Sequence, residues 1–279
     1  MTDKPYVPVQ ALHIQDKAIS ARQKTLLIGR HLGLASDHHY QASEASLSER
    51  SAKRQQLLEE QYQQNLETIY KISLSITPSD VTGSELDSDW TMQFLQLAKQ
   101  ISHSKMQELW ARILASEVVK PGQFSIRSLQ VLQQLTQREA IILERAKSLS
   151  GNLDNDPHLI LLSGYRNTSG LRQYWRKPVN TGLPLSQFGL PYSAILTLQE
   201  AGILHKSEFE TGLLAPKQVI SWHNQQELLQ LRPKYAKLVL TYYRFTPIGD
   251  ELVQLIGSRH DSPYWQAMRA LFARDFQWR

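Results

Sequence analysis

The chain of 279 residues contains no cysteine. Disulfide bonds, thiolate nucleophiles and thiolate metal ligands are therefore excluded together. No apolar run approaches the roughly 20 residues that a membrane-spanning helix needs, and residues 1–10 carry Asp3 and Pro5 without an apolar segment behind them. We therefore expect no secretory signal, no membrane partner and a cytoplasmic location.

Sequence motifs of common catalytic sites are also missing. The chain has no glycine-rich phosphate loop ending in lysine, no G-x-S-x-G turn, and no pair of histidines four apart around a glutamate. Asp154 and Asp156 lie in a turn before Pro157, where carboxylates cap the backbone more often than they hold a cation. We therefore expect a non-enzymatic protein with no cofactor and no metal site.

What the chain does have is positive charge concentrated in its second half. The formal net charge is +5, and residues 126–279 carry 18 Lys and Arg against 12 Asp and Glu. A surplus of this kind favours an anionic partner, although many proteins carry it only to stay dispersed in water.

Residues 47–76 are predicted to form one helix with the heptad spacing of a coiled-coil seam. The seam positions alternate in steps of four and three: Leu58, Tyr62, Asn65, Ile69, Ile72 and Ile76. A helix of this kind buries its stripe either on downstream helices of the same chain or on a second copy. We take Leu58, Tyr62, Ile69 and Ile72 as the candidate oligomer seam.

Between residues 85 and 151 the apolar spacing predicts four short helices joined by tight turns, which is typical of a helical bundle. Two capping boxes are predicted at helix starts, one from Ser104 to Gln107 and one from Thr136 to Glu139. In such a box a hydroxyl and a carboxylate or amide satisfy the unpaired N–H groups of the first turn.

One stretch of this central part is distinctive: Leu109-Trp110-Ala111-Arg112-Ile113-Leu114-Ala115, Glu117, Pro121-Gly122, Phe124-Ser125 and Arg127. It resembles the hallmark of a family of uncharacterised proteobacterial proteins, a domain of unknown function, closely over residues 95–150 and more loosely toward the C-terminus. The resemblance implies a shared fold and no established activity. From the residues themselves we interpret the stretch as a helical hairpin, with Arg112, Glu117 and Arg127 placed for an ion pair across it.

After residue 151 the pattern changes to strands and turns. We predict a hairpin over 158–165 and 171–177, a helix over 191–202, three further strands, and two helices; the strands cover 203–209, 217–222 and 237–245, and the helices start at Thr246 and Ser262. Residues 224–234 are predicted as an extra helix or insertion. This order resembles the end of many bacterial winged-helix domains.

The second strand of the predicted hairpin is rich in cations and aromatic residues. Residues 165–177 contain no acidic residue. Guanidinium and ammonium groups bind phosphates, and flat aromatic rings stack on bases. The candidate nucleic-acid-binding residues are Arg166, Arg172, Tyr174, Trp175, Arg176 and Lys177. The competing interpretation is an ordinary half-buried hairpin with solvated cations. The helix over 191–202 carries no cation, which argues against a helix that reads DNA sequence.

Together these patterns predict a mainly α chain with a coiled-coil-like arm (1–80), a central helical bundle (85–151) and a smaller α+β domain of winged-helix character (155–279). The predicted function is a bacterial binding or adaptor protein that contacts nucleic acid through the basic–aromatic hairpin. The alternative is a protein-interaction or self-assembly module that uses the N-terminal helix, with a homo-oligomer or protein partner and no nucleic acid.

Overall fold

The structure is a computed structural model, and it describes residues 20–35, 44–79, 85–168, 182–216, 218–224, 226, 228–257 and 261–278. The chain divides into two compact units, Met1–Ile126 and Arg127–Arg279.

The described residues of the first unit form helices: α1 (Ala21–His31), α2 (Leu47–Ile76), α3 (Ser88–Ala98) and α4 (Ser104–Val119). The helix predicted over 47–76 is confirmed as α2. Its N-terminus is capped by Ser46, whose hydroxyl accepts from the backbone N–H of Glu49 while the Glu49 carboxylate accepts from the N–H of Ser46. This reciprocal pair defines the first turn of the helix.

A buried amide, Asn65, organises the packing of α2 within its unit. Its Nδ2 donates to the carbonyl oxygen of Lys99 at 2.7 Å and to Ser102 Oγ at 3.2 Å. Its Oδ1 accepts from Gln61 at 2.9 Å and from Gln107 at 3.3 Å. Because a buried amide without partners is costly, this set of bonds specifies how α2 aligns with α4.

The turn after α4 is built around the carboxylate of Glu117, which is only 3% exposed. Its oxygens accept from the backbone N–H groups of Gly122, Gln123 and Phe124, the last two at 3.1 and 3.2 Å. Trp90 Nε1 donates to the Phe124 carbonyl oxygen at 2.7 Å. The acid of the distinctive stretch therefore binds the Pro-Gly turn itself.

The second unit combines helices with one antiparallel sheet. Its described helices are α5 (Ile126–Gln134), which begins at the unit boundary, α6 (Gln137–Ser148), α7 (Tyr192–Glu200), α8 (Pro247–Val253) and α9 (Ser262–Phe272). Its strands are β1 (Gly151–Leu153), β2 (Leu159–Asn167), β3 (Phe209–Glu210), β4 (Ile220–His223), β5 (Leu228–Pro233), β6 (Leu238–Arg244) and β7 (Phe276–Trp278). The strand order is β3-β6-β2-β1-β4-β5-β7.

One face of this sheet is packed against α9. Along β4 and β5 buried residues alternate with partly exposed ones, which is the pattern of a sheet with one covered face. Trp222 of β4 stacks on Trp265 of α9 with ring centroids 3.9 Å apart. The Tyr264 hydroxyl donates to the Leu162 carbonyl oxygen of β2 at 2.9 Å. The covered face is therefore an aromatic core.

The sheet curls around this core. Tyr165 of β2 and Phe276 of the edge strand β7 are separated by three strands in the sheet order, yet their ring centroids lie 5.2 Å apart. The Tyr165 hydroxyl donates to the Asp275 carboxylate at 2.6 Å. Burial, together with this carboxylate, raises the pKa of Tyr165 above its usual value. The ends of β2, β5 and β7 therefore approach one another.

The predicted fold class is wrong in its C-terminal part. A winged helix closes with a β-hairpin, whereas the second unit has a seven-stranded antiparallel sheet. Residues 224–234, predicted as an extra helix or insertion, contain β5, because Leu229 and Leu231 are buried and the strand pairs with β4 and β7. Pairing with distant residues therefore overrides the local helix propensity.

The predicted central bundle is also wrong as a single body. Of its four helices, α3 and α4 belong to the first unit, whereas α6 and nearly all of α5 belong to the second. Of the two predicted capping boxes, that of Thr136 and Glu139 is confirmed. The one at Ser104 is wrong, since α4 begins after His103 without a side-chain cap and Gln107 is used by the Asn65 network.

No helix in the described ranges is both long enough and apolar enough to cross a membrane.

Candidate nucleic-acid interface

The turn of residues 234–237 joins β5 to β6 and is fixed at its first residue. The backbone N–H of Lys234 donates to the Asp275 carbonyl oxygen at 2.9 Å. Lys234 Nζ donates to the carbonyl oxygens of Ala273 and Arg274 at 2.8 and 3.1 Å. An ammonium group at the C-terminal end of a helix is favourable because the carbonyl groups there are unpaired.

The same turn is fixed at its last residue by the end of β2. The carbonyl oxygen of Lys237 accepts from the backbone N–H and from the hydroxyl of Thr168 at 2.8 and 2.9 Å. Lys237 has a φ of 70°, a left-handed conformation that is uncommon for a residue with a side chain. Both ends of the turn are therefore held by the neighbouring backbone.

Cations are concentrated around this turn. We call the following exposed side chains the basic rim: Arg232, Lys234, Lys237 and Arg274. Tyr235, in the middle of the turn, is 57% exposed. The acid next to Arg274 in the sequence, Asp275, is partly buried, and its carboxylate accepts a hydrogen bond from the Tyr165 hydroxyl. The rim therefore presents positive charge next to an exposed aromatic ring.

The basic rim lies beside the described end of β2, the first strand of the predicted hairpin. Thr168, which binds Lys237, is the last described residue before 169–181, and Gly182 bridges to Gly164 on β2. The first strand predicted for the hairpin is confirmed as β2. Among the candidate residues, Arg172, Tyr174, Trp175, Arg176 and Lys177 lie outside the described residues.

Arg166 is the candidate residue that the structure does describe. Its guanidinium forms an ion pair with the Glu210 carboxylate of β3, and both side chains are largely exposed. Because Glu210 compensates part of its charge, Arg166 offers less attraction to a phosphate than an unpaired arginine does. The rim residues, rather than Arg166, carry the described positive surface.

The rim residues are not among the candidates predicted from the sequence, although the sequence contains a signal for them. Residues 232–237 read Arg-Pro-Lys-Tyr-Ala-Lys, which interleaves three cations with one aromatic ring. Because local patterns predict an extra helix or insertion over 224–234, they do not reveal that the run is exposed at the end of a strand. The closeness of Lys237 to Thr168 depends on the antiparallel pairing of β2 with β6, in which Asn167 lies opposite Leu238.

The second unit contains two other clusters of polar side chains. Ser163 Oγ binds the carboxylate of Glu208 and lies 2.8 Å from Thr241 Oγ1. His158 Nδ1 lies 2.5 Å from Asp250 Oδ2 at the start of α8. Both clusters join strands or helices to one another. In the part of the chain that the structure describes, no group of three or more His, Asp or Glu side chains is arranged to hold a metal ion.

The two aspartates of the turn before β2 bind backbone groups. Asp156 Oδ1 accepts from the N–H of His158 at 3.0 Å. Asp154 Oδ1 accepts from the N–H of Ser221 at 2.7 Å. Asp156 therefore caps its own turn as predicted, whereas Asp154 binds the backbone of β4, which is distant in sequence.

The candidate oligomer seam occupies the inner side of α2. Ile69 is 1% exposed, while Leu58, Tyr62 and Ile72 are half-buried. The amine of Lys99 lies 5.1 Å from the centre of the Tyr62 ring. The seam residue Ile69 is therefore already covered within the chain.

Comparison with known proteins gives a family for this chain. The model of the family described as "Protein of unknown function (DUF2806)" matches residues 49–269. The chain belongs to this family. A search of curated proteins and a search of solved structures found no match. The DUF2806 match extends through both compact units and includes the turn that carries the basic rim.

Proposed function

We propose that this DUF2806 protein is a nucleic-acid-binding protein, which contacts the phosphate backbone through the basic rim and the cations of residues 169–181. The observation that carries the proposal is the bond between Thr168 and Lys237. It joins the described cations of the rim to the start of the segment that holds Arg172, Arg176 and Lys177. Lys237 therefore lies next to the last described residue before those cations.

The chemistry of the rim supports phosphate as the bound group. Its four cations surround a turn with one partly buried acid nearby, and clustered Lys and Arg are the ordinary footprint of nucleic-acid binding. The helix α7 carries no Lys or Arg with which to read a groove. Backbone contact without base-specific reading therefore fits these residues best.

The proposal predicts a salt-dependent affinity that depends on the rim. Each phosphate contact adds about 0.7–0.9 to the slope of log affinity against log salt concentration. Lys237→Ala combined with Arg274→Ala should therefore lower the slope by about 1.5, and Arg172→Ala with Arg176→Ala should weaken binding in the same direction. The measurement is fluorescence anisotropy of labelled DNA and RNA over a range of salt concentrations.

The matched control removes two exposed lysines of the first unit, Lys53→Ala with Lys105→Ala. It makes the same change in net charge and should leave the slope unchanged. Binding with no salt slope, or an equal loss in the control and the rim variant, contradicts the proposal.

A second candidate function, self-assembly through the first unit, is favoured by one surface of α2. Tyr70 and Leu74 are 61% and 64% exposed and lie one turn apart, on a different side of the helix from the buried Ile69. Large apolar side chains in neighbouring exposed positions are typical of association surfaces. We propose a second copy of this chain as the occupant of this surface, which is separate from the seam predicted from the heptad spacing.

Self-assembly predicts that Tyr70→Ser with Leu74→Ser lowers the solution mass to that of a monomer. The measurement is multi-angle light scattering over a range of concentrations. Ile69→Asp is unsuitable because that side chain is buried within its own unit and the charge would destabilise the fold. Ile141→Ser, which changes a residue 60% exposed in α6, is the control. A wild-type chain that is monomeric at every concentration contradicts this second function.

A further inference from the structure

We propose that the nucleic acid bound at the basic rim is single-stranded and that one of its bases stacks on the ring of Tyr235. This inference rests on the nucleic-acid function proposed above. Tyr235 is the central aromatic residue of the turn between Lys234 and Lys237 and is 57% exposed. Base stacking on exposed aromatic rings beside cations is the common mode of single-strand binding.

The turn holds Tyr235 in place before any ligand arrives. Lys234 is bonded to the end of α9 through its backbone and its side chain. Lys237 is bonded to Thr168 through its carbonyl oxygen. With both ends fixed, the turn loses little conformational freedom on binding, so contacts made by its side chains contribute more to affinity.

Cations lie on both sides of Tyr235 along the chain. Lys234 and Lys237 lie one residue before and two residues after Tyr235, and Arg274 binds Lys234 through its carbonyl oxygen. A base placed on the Tyr235 ring therefore has cations nearby for its flanking phosphates. A paired base inside a duplex has both faces covered by its neighbours and cannot reach the ring without being unstacked.

The shape of the surface argues in the same direction. Tyr235 projects from a turn of four residues between two strands, and α7 carries no cation. Duplex readers instead place a helix or a two-stranded ribbon with polar side chains into a groove. The described part of the rim offers one ring and point charges, which suit an unpaired strand.

The test compares a labelled oligothymidylate with a duplex of equal length, using the whole chain at one salt concentration. We expect the single strand to bind more tightly, and Tyr235→Ala to weaken its binding by about tenfold, since one stacked base contributes about that factor. Tyr235→Phe should retain most of the affinity. Tyr192→Ala is the matched control because Tyr192 is 66% exposed in the same unit.

The outcomes separate this inference from the proposed function. Equal or tighter duplex binding, or equal effects of Tyr235→Ala and Tyr192→Ala, overturns the single-strand inference, while a salt slope that still depends on Lys237 and Arg274 leaves the nucleic-acid function standing. Absence of binding to both probes overturns the proposed function and this inference with it. Tighter single-strand binding that depends on the Tyr235 ring supports both.

Discussion

Replacing Glu117 with alanine is expected to lower the free energy of unfolding of the first unit by about 4 kcal/mol, because buried donors that lose a charged acceptor are costly. The substitution removes the group that accepts from the N–H groups of Gly122, Gln123 and Phe124. The turn would either admit water or separate from Trp90, whose indole donates to Phe124. The measurement is urea unfolding followed by tryptophan fluorescence.

Amide hydrogen exchange gives this prediction a local test. The N–H groups of residues 122–124 should be protected in the wild type and exchange much faster in Glu117→Ala. Glu108→Ala, which alters an exposed carboxylate on the same helix, should change stability by less than about 0.5 kcal/mol. Equal stability of the two variants would show that the Glu117 bonds contribute little.

Gly249→Ala is expected to destabilise the second unit by about 3 kcal/mol, as overpacking against backbone does. A Cβ at this position would lie 2.2 Å from the Ile203 carbonyl oxygen and 3.0 Å from Phe245 Cδ1. The Ile203 carbonyl oxygen is held in this position because it accepts from the Thr246 N–H at 3.0 Å. The Thr246 hydroxyl also donates to the Gly202 carbonyl oxygen at 2.6 Å. The start of α8 is therefore in direct contact with the backbone of residues 202–203.

The matched control for this position is Gly257→Ala. A Cβ at Gly257 would meet nothing within 4 Å, so the substitution should leave stability nearly unchanged. Thermal unfolding followed by far-ultraviolet circular dichroism compares the two variants. A Gly249→Ala chain as stable as Gly257→Ala would mean that the backbone of residues 202–203 can shift without cost.

The elements that were predicted correctly depend on neighbouring residues. The helix over 47–76 follows from its own periodicity, and α6 follows from the capping box of Thr136 and Glu139. The start of α8 follows from Thr246, whose hydroxyl accepts from the N–H of Gly249 at 3.1 Å. Each of these signals involves residues within a few helical turns of one another, so the sequence alone is enough to predict where these helices lie.

The elements that were missed depend on distant partners. β1 and β7 have three residues each, which is too short for a recognisable period. β5 is a strand because Leu229 pairs with Trp222 of β4 and Leu231 with Ile220, although its sequence contains good helix formers. The seven-stranded sheet therefore emerges only when the whole unit assembles.

The candidate site likewise combines features that the sequence shows with features that depend on distant partners. Cations and aromatic residues near residue 170 are visible in the sequence, and so is the run over 232–237. The position of Lys237 beside Thr168 is not visible, because it depends on the pairing of β2 with β6. Composition thus suggests the kind of partner that we propose, and strand pairing shows which described cations lie beside the end of β2.

The amide of Asn65 restricts how α2 can separate from the rest of its unit. Sliding the helix along its axis by one turn, about 5.4 Å, would bring Gln61 or Ile69 opposite Lys99 and Ser102. The set of bonds now joined at Asn65 would be broken in either case, with its polar groups still buried among apolar residues. Because such groups are costly to bury without partners, the bonds of Asn65 favour one register of α2 over its neighbours.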